Sequence, residues 1–366
     1  MRAVALLPIR SQVVECPNPR TVGTLERIPK WLNLVPMVAQ WVWLSLRYGS
    51  ATLPSAANPH LTCGGMVGDG KLEYFSTMGS KARGWTAPWT YLDNEGRQSL
   101  TTALTVIENA GLEFPLIAKP DLGWCGFGVR LVSDAADLER YLMQFPRGER
   151  IILQHFVPFE GEAGIYYLRR PGETNGRVLG MLLRTFPRVV GDGVRSIQQL
   201  MDIDPRLRRL GRDGLSEPCC DIARVPSAGE SVRVAIIGST RVGGLYEDAS
   251  ASVTPQLVAS IDAIARDMPD FHVGRFDIRF ENLDALRAGK CFAIIEVNGA
   301  GSEAVHAWDP RLSLRAAYGI VFEKQREIFA IGDAMRKAGH KPTSFADLAR
   351  HYFHQQRLIR RYPRSN

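Results

Sequence analysis

The chain has 366 residues, of which 45% are apolar and 23% charged, the composition of a globular protein with room for one large or two to three smaller domains. Its net charge of +7 suits an anionic small molecule, a nucleotide or an anionic membrane surface and does not choose among them. The six cysteines include no Cys-x-x-Cys pair, which leaves out a structural zinc site and a disulfide framework and predicts reduced thiols in a cytoplasmic protein.

The N-terminal MRAVALLPIR is interrupted too early, at Pro8, to read as a signal peptide. Trp31 to Tyr48, WLNLVPMVAQWVWLSLRY, is strongly apolar and carries three tryptophans, with Arg27 and Lys30 before it and Arg47 near its end. Asn33, Pro36, Gln40, Ser45 and Arg47 argue against a membrane span. Two readings stay open: a core helix broken near Pro36, or a helix lying in the membrane interface as a peripheral contact. Leu53 to Gly70 reads as loop with one short strand, and residues 97–111 as a helix ending at Gly111.

Phe114 to Pro120 is a short apolar strand finishing in Lys119-Pro120, followed by the glycine loop Gly123-Trp-Cys-Gly126-Phe-Gly128-Val129. Glycines let a backbone present N–H groups to phosphate oxygens, and a lysine at the strand end adds a point charge. The loop lacks the Gly-Lys-Ser/Thr of a Walker A motif, and alone it reads equally as a hairpin turn. A helix is predicted at about Ser133–Phe145 with Ser133 as N-cap, then a strand over residues 151–157. Glu162 follows; from spacing alone it reads as a solvated turn residue.

Residues 178–200 read as a strand, a Gly191-Asp-Gly turn and a short helix from Ser196. Arg206, Arg208, Arg209 and Arg212 form a basic run that reads as a solvated helix face. Thr254 to Arg266 is an amphipathic helix with Pro255 in its first turn. The most informative stretch comes next. Arg275 to Phe280 alternates charged and apolar residues, so Arg275, Asp277 and Arg279 share one face of a strand. Cys291 to Asn298 is an apolar run ending in Glu296-Val-Asn298, whose two polar residues also share a face. Two carboxylates and an amide on neighbouring strands form a patch of hard oxygen ligands suited to Mg2+ shared with substrate phosphates. Residues 310–329 read as a helix, and the basic stretch from Arg350 to Asn366 as a solvated helix end.

Taken in order, lysine, glycine loop, acid after the strand and Asp277…Glu296-x-Asn298 resemble the ATP-grasp superfamily of carboxylate–amine ligases over residues 62–325. D-alanine–D-alanine ligases are similar at Lys71-Leu72, Ala87-Pro88-Trp89, Lys119-Pro120, Gly274-Arg-Phe-Asp277 and Glu296-Val-Asn298…His306. The ligase half of cyanophycin synthetase is similar at Arg184…Pro187…Val190-Gly-Asp-Gly193…Ser196-Ile197 and in the Gly238–Gly244 loop. Ala300-Gly301-Ser302 stands where those ligases usually have Pro-Gly, and residues 1–60 do not resemble the substrate domain of D-alanine ligases.

The resemblance implies an α+β fold, with two subdomains of antiparallel sheet gripping ATP and a short Trp-rich helical N-terminal segment. The implied units are residues 1–60, an ATP-grasp domain over 61–330 (a smaller lid over about 115–190, a metal and catalytic part over about 191–330) and a basic helical tail over 331–366. Lys71, Lys119, Gly123, Gly126 and Gly128 would bind the phosphates; Gln154, Phe156 and Val157 would line the adenine pocket; Glu162 would hold the ribose. Asp277, Glu296 and Asn298 would carry two Mg2+ ions, or Mn2+. Arg184 or Arg188 would reach the γ-phosphate, and Arg275 would meet the oxyanion. The implied activity joins a small-molecule or peptide carboxylate to an amine through an acyl phosphate, with ADP and phosphate released and no nucleic-acid partner. Two alternatives remain: a phosphotransferase or hydrolase with a non-carboxylate acceptor, and a nucleotide-binding membrane adaptor without turnover.

Overall fold

The computed structural model describes residues 22–96, 99–208, 210 and 214–366, so the N-terminal decapeptide and the arginines at 209 and 212 lie outside the described residues. Eleven helices are α1 (Thr24–Arg27), α2 (Lys30–Tyr48), α3 (Lys71–Thr77), α4 (Ser80–Trp85), α5 (Ser99–Asn109), α6 (Ala135–Gln144), α7 (Ile197–Ile203), α8 (Pro255–Ala265), α9 (Leu283–Arg287), α10 (Leu314–Lys337) and α11 (Phe345–Ile359) among the described residues. The strands are β1 (Trp89–Asp93), β2 (Leu116–Pro120), β3 (Arg130–Val132), β4 (Arg150–His155), β5 (Gly161–Leu168), β6 (Arg177–Thr185), β7 (Arg188–Val190), β8 (Ser231–Arg233), β9 (Leu245–Asp248), β10 (Val273–Phe280) and β11 (Phe292–Asn298).

The fold is α+β. A four-stranded antiparallel sheet has the order β1-β4-β2-β3 and a five-stranded one the order β11-β10-β5-β6-β9. In the smaller sheet, Leu116, Ala118, Ile151 and Leu153 meet Ala103, Ile107, Leu138 and Tyr141 of α5 and α6 in one core. In the larger sheet, Ala163, Ile165, Tyr167, Phe276, Ile278 and Ile294 face a second core with Leu257, Ile261 and Ile264 of α8. The opposite face changes character along the strands. Tyr166, Leu168 and Val273 are covered by Ile328, Phe329 and Ile331 of α10. Further along the same strands, Glu162, Gly164, Arg275, Asp277 and Arg279 occupy that face, and this polar end carries the candidate site. A short β7–β8 ribbon and α7 enclose a small core of their own, with Val189, Ile197, Met201, Val232 and Val234.

Several boundaries differ from the sequence reading. The stretch 53–70 holds two 3-10 turns and no strand, because Cys63, Gly64, Gly65 and Gly68 take positive φ. The cap of α6 is Asp134, whose carboxylate accepts from the Asp137 N–H at 2.8 Å, and not Ser133. β5 and β6 fall inside the 115–190 stretch read as the smaller unit, yet both run in the larger sheet, since Glu162 to Leu168 pair with β10. The basic tail is not a solvated helix end. Tyr362 donates its hydroxyl to the Leu122 carbonyl at 2.7 Å, Gln355 donates to the Gly123 carbonyl at 3.0 Å, and Ser365 is fully buried. No helix among the described residues is long and apolar enough to cross a membrane.

Candidate active site

β10 and β11 set the register of the site. Arg275 stands opposite Asn298 and Asp277 opposite Glu296, but Ile278 stands opposite Ile294. Ile295 is therefore an extra residue, a β-bulge, and the bulge reverses the facing of β11. Phe292 and Ile294 point into the core before it; Glu296 and Asn298 point out after it, with Val297 returning to the core. In an unbroken strand Ile294 and Glu296 would share a face. The bulge also frees the Ile295 carbonyl, which accepts from Lys119 Nζ at 2.6 Å.

Asp277 accepts four donors. Arg275 Nε (2.8 Å) and Arg184 Nη2 (3.1 Å) reach one oxygen; Arg275 Nη2 (2.9 Å) and the Asn298 amide nitrogen (3.2 Å) reach the other. Burial alone would raise this carboxyl, but Arg184 and Arg275 outweigh it and hold it below the usual carboxylate range. Gly164, opposite Asp277 on β5, makes the pair fit: a Cβ there would lie 3.0 Å from Asp277 Oδ1 and 3.2 Å from Arg275 Cδ.

Lys71 is the first residue of α3. Its backbone N–H donates to the Asp121 carbonyl at 3.1 Å, and the Asp121 carboxylate accepts from the Leu72 N–H at 2.7 Å. So anchored, Lys71 Nζ pairs with Glu296 Oε1 at 3.1 Å. Glu296 is pulled below its ordinary value: burial opposes this, and Lys71 and then Lys119 overcome it despite the nearby Asp277. Lys119, on β2 of the smaller sheet, is buried and donates to Gln154 Oε1 at 2.6 Å as well as to Ile295. Desolvation pushes its ammonium down to about 7 against the attraction of Glu296.

The glycine loop lies over these groups. A Cβ on Gly123 would come within 2.8 Å of Lys71 Nζ, and Gly126 and Gly128 both have φ above +70°. Cys125 is exposed on the loop near Glu303, Arg275, Arg241 and Glu296, and its thiol is pushed up, partly by those carboxylates, away from nucleophilic duty.

Of the residues expected at the site, Lys71, Lys119, Gly123, Arg184, Arg275, Asp277, Glu296 and Asn298 converge. The remaining expected residues are placed as follows. Glu162 is buried, with its oxygens held by Arg184 Nη1 at 2.8 Å and Arg279 Nε at 3.0 Å, so it is an ion-pair partner here and not a turn residue. Gln154 is buried and spans Lys119 and the Ala87 carbonyl. Phe156 and Val157 follow the end of β4, and Arg188 pairs with Glu160 at the surface at 2.7 Å. Residues the sequence reading did not single out are Asp121, which seats Lys71, Gly164, which leaves space for Arg275, and Lys324 of α10. Lys324 lies near Glu303 and Arg275, and burial lowers it to about 8. Gly164 lies within a strand pattern, the signal of a close approach; a single lysine in a long amphipathic helix gives no such signal.

Among the described residues no three His, Cys, Asp or Glu side chains group as a metal site. The set here has two carboxylates and an amide, which fits Mg2+, an ion commonly bound by one or two carboxylates with phosphates completing its shell. Glu296, with a single ion-pair partner among the described residues, has acceptor capacity to spare; Asp277 would have to exchange one of its four donors.

No family model and no curated protein matches the chain. Among solved structures it is similar to a bifunctional glutathione synthetase from Pasteurella multocida (16% identity, TM-score 0.37, 73% of this chain and 38% of that one). It is also similar to a D-Ala:D-Ser ligase from Enterococcus faecalis (14% identity, TM-score 0.39, 73% and 62%) and to a D-alanine–D-alanine ligase from Bacillus anthracis (14%, 0.37, 69% and 63%). The aligned part spans less than two thirds of each of those proteins. What the site can do chemically follows from its own residues.

Proposed function

We propose that the chain is an ATP- and Mg2+-dependent ligase of the ATP-grasp type, which joins a carboxylate to an amine through an acyl phosphate and releases ADP and phosphate. The observation that carries this reading is the meeting of Lys71 with Glu296 at 3.1 Å beneath Gly123, with Lys119 reaching from the other sheet to the Ile295 carbonyl beside it. Two lysines from one side, carboxylates from the other and a glycine loop above them match the charge pattern of a polyphosphate with its metal.

A carboxylate attacking the γ-phosphate asks for little covalent work from the protein, so positioning and charge neutralisation dominate. Lys71 and Lys119 bind phosphate oxygens, and the loop N–H groups around Gly123, Gly126 and Gly128 approach them. Glu296 and Asn298 would hold Mg2+, with Asp277 joining by exchange of a donor; the ion, when bound, offsets phosphate charge. Arg275 stands next to that set and offers its guanidinium to the oxyanion that forms when the amine attacks the acyl phosphate. Arg184, tied to Glu162 and Asp277, keeps Asp277 ionised.

The test is ATP turnover with Mg2+ over a panel of amino acids and dipeptides, beside a Glu296→Gln control, with ADP, phosphate and products read together by mass spectrometry. ADP and phosphate rising only with a particular acid–amine pair, and lost in the control, is the expected result. Phosphate appearing on a hydroxyl acceptor, or ATP hydrolysis indifferent to any acid, would overturn it.

A further inference from the structure

The helix α2 is turned inside out. Its uncharged polar residues Asn33 and Gln40 face the protein: Asn33 is 4% exposed and receives the Tyr318 hydroxyl at 3.2 Å, and Gln40 donates to the Phe322 carbonyl at 3.0 Å. Leu44 and the edge of Trp41 on Phe329, with centroids 4.9 Å apart, complete the inner face. The outer face is apolar. Trp31, Val35, Val38, Val42 and Leu46 recur at helical spacing and are all exposed, Trp31 at 69% and Leu46 at 79%, with Leu34 and Trp43 on their flanks. Water-facing helices of a globular protein have the reverse pattern, and a contiguous apolar stripe of this kind marks an interaction surface.

Charge selects the partner. The helix contains no acidic residue. Exposed Arg27 precedes it, and exposed Arg47 stands at its last turn, 5.4 Å above the Trp43 ring. A second copy laid along the stripe would bring cation against cation in either direction, whereas anionic lipid headgroups complement both ends. We propose that α2 docks the protein in the plane of an anionic lipid bilayer, its outer stripe buried among the upper acyl chains and Arg27 and Arg47 at the headgroups. The helix of 19 residues is about 28 Å long. It remains hydrogen-bonded to α10 through Asn33, Gln40 and Gln325, so docking needs no refolding. This inference is independent of the ligase reading.

The test is co-sedimentation of the full chain with phosphatidylcholine vesicles and with vesicles containing phosphatidylglycerol, alongside Trp31→Ser/Val38→Ser/Leu46→Ser and Arg27→Glu/Arg47→Glu variants. All five positions are exposed, so circular dichroism should report unchanged folding. The expected result is wild-type binding favouring the anionic vesicles, lowered by more than about tenfold in the stripe variant and lowered on anionic vesicles alone in the charge variant. Wild-type chain left in the supernatant, or a stripe variant that pellets as well as wild type, would overturn the proposal. So would a vesicle-free dimer in light scattering that the stripe substitutions dissociate.

Discussion

The Ile295 carbonyl accepts the Lys119 ammonium at 2.6 Å because β11 carries one residue too many opposite Asp277 and Ile278. A local irregularity of one sheet thus fixes a cation of the other, and the same irregularity turns Glu296 and Asn298 toward it. The bulge, more than any one side chain, assembles the candidate site.

Lys119 predicts a pH dependence. With its ammonium lowered to about 7 in the free protein, the lysine is charged below that pH and neutral above it. Phosphate favours the charged form, so nucleotide affinity should weaken as pH rises through 7, and Lys119→Arg should flatten that profile. Stability runs the other way. Between about 7 and the ordinary lysine value the unfolded chain binds the extra proton, so stability contributed at this site rises with pH. Thermal melts of wild type and Lys119→Met across that range check it: the variant's relative advantage should shrink as pH increases.

Arg275 predicts a split between binding and chemistry. Its guanidinium is committed to Asp277 and to the Glu303 carbonyl at 3.2 Å, next to the carboxylates. Arg275→Met should lower turnover by about 10²–10³-fold with little change in nucleotide affinity. Isothermal titration with a non-hydrolysable ATP analogue, beside steady-state rates, separates the two. A parallel loss of affinity would place Arg275 on the nucleotide instead.

Gly164 predicts the cost of crowding. The added methyl of Gly164→Ala, 3.0 Å from Asp277 Oδ1 and 3.2 Å from Arg275 Cδ, must push the pair aside. Stability should fall by about 1 kcal/mol, as for modest overpacking. Turnover should fall roughly 10- to 100-fold, because displacement near the reacting groups is amplified in the rate. Denaturant unfolding and initial rates on one preparation distinguish this from a folding defect.

Much of this was legible in the sequence because it is periodic. The alternation of Arg275, Asp277 and Arg279 announces a strand with one charged face, and Lys119 before a glycine loop announces a strand end. What was not legible depends on pairing. Nothing in Phe-Ala-Ile-Ile-Glu-Val-Asn reveals the bulge at Ile295, since the pattern after it is again regular. Glu162 looked solvated because its partners Arg184 and Arg279 come from strands 22 and 117 positions away. The exposure of the α2 stripe depends on α10 meeting Asn33 and Gln40, a preference for polar contacts that hydropathy alone does not order.

The C-terminal tail supplies the last prediction. Residues 350–366 look like a charged helix end, yet Tyr362 holds the Leu122 carbonyl, Gln355 holds that of Gly123, and the Leu131 N–H donates to Asn366 at 3.1 Å. The tail therefore clamps both shoulders of the glycine loop, and Gly128 takes part because a Cβ there would strike Pro120 at 2.8 Å and Tyr362 at 3.0 Å. Tyr362→Phe removes one hydrogen bond while keeping the ring stacked on Phe145, with centroids 5.2 Å apart. Global stability should drop by only about 1 kcal/mol. Local opening should rise more visibly, so hydrogen exchange at residues 122–128 should quicken while β10 and β11 stay protected. If the loop orders phosphate, KM for ATP should increase in Tyr362→Phe with the pH profile of Lys119 unchanged. Unaltered exchange in the loop would mean that the tail rests on it without holding it.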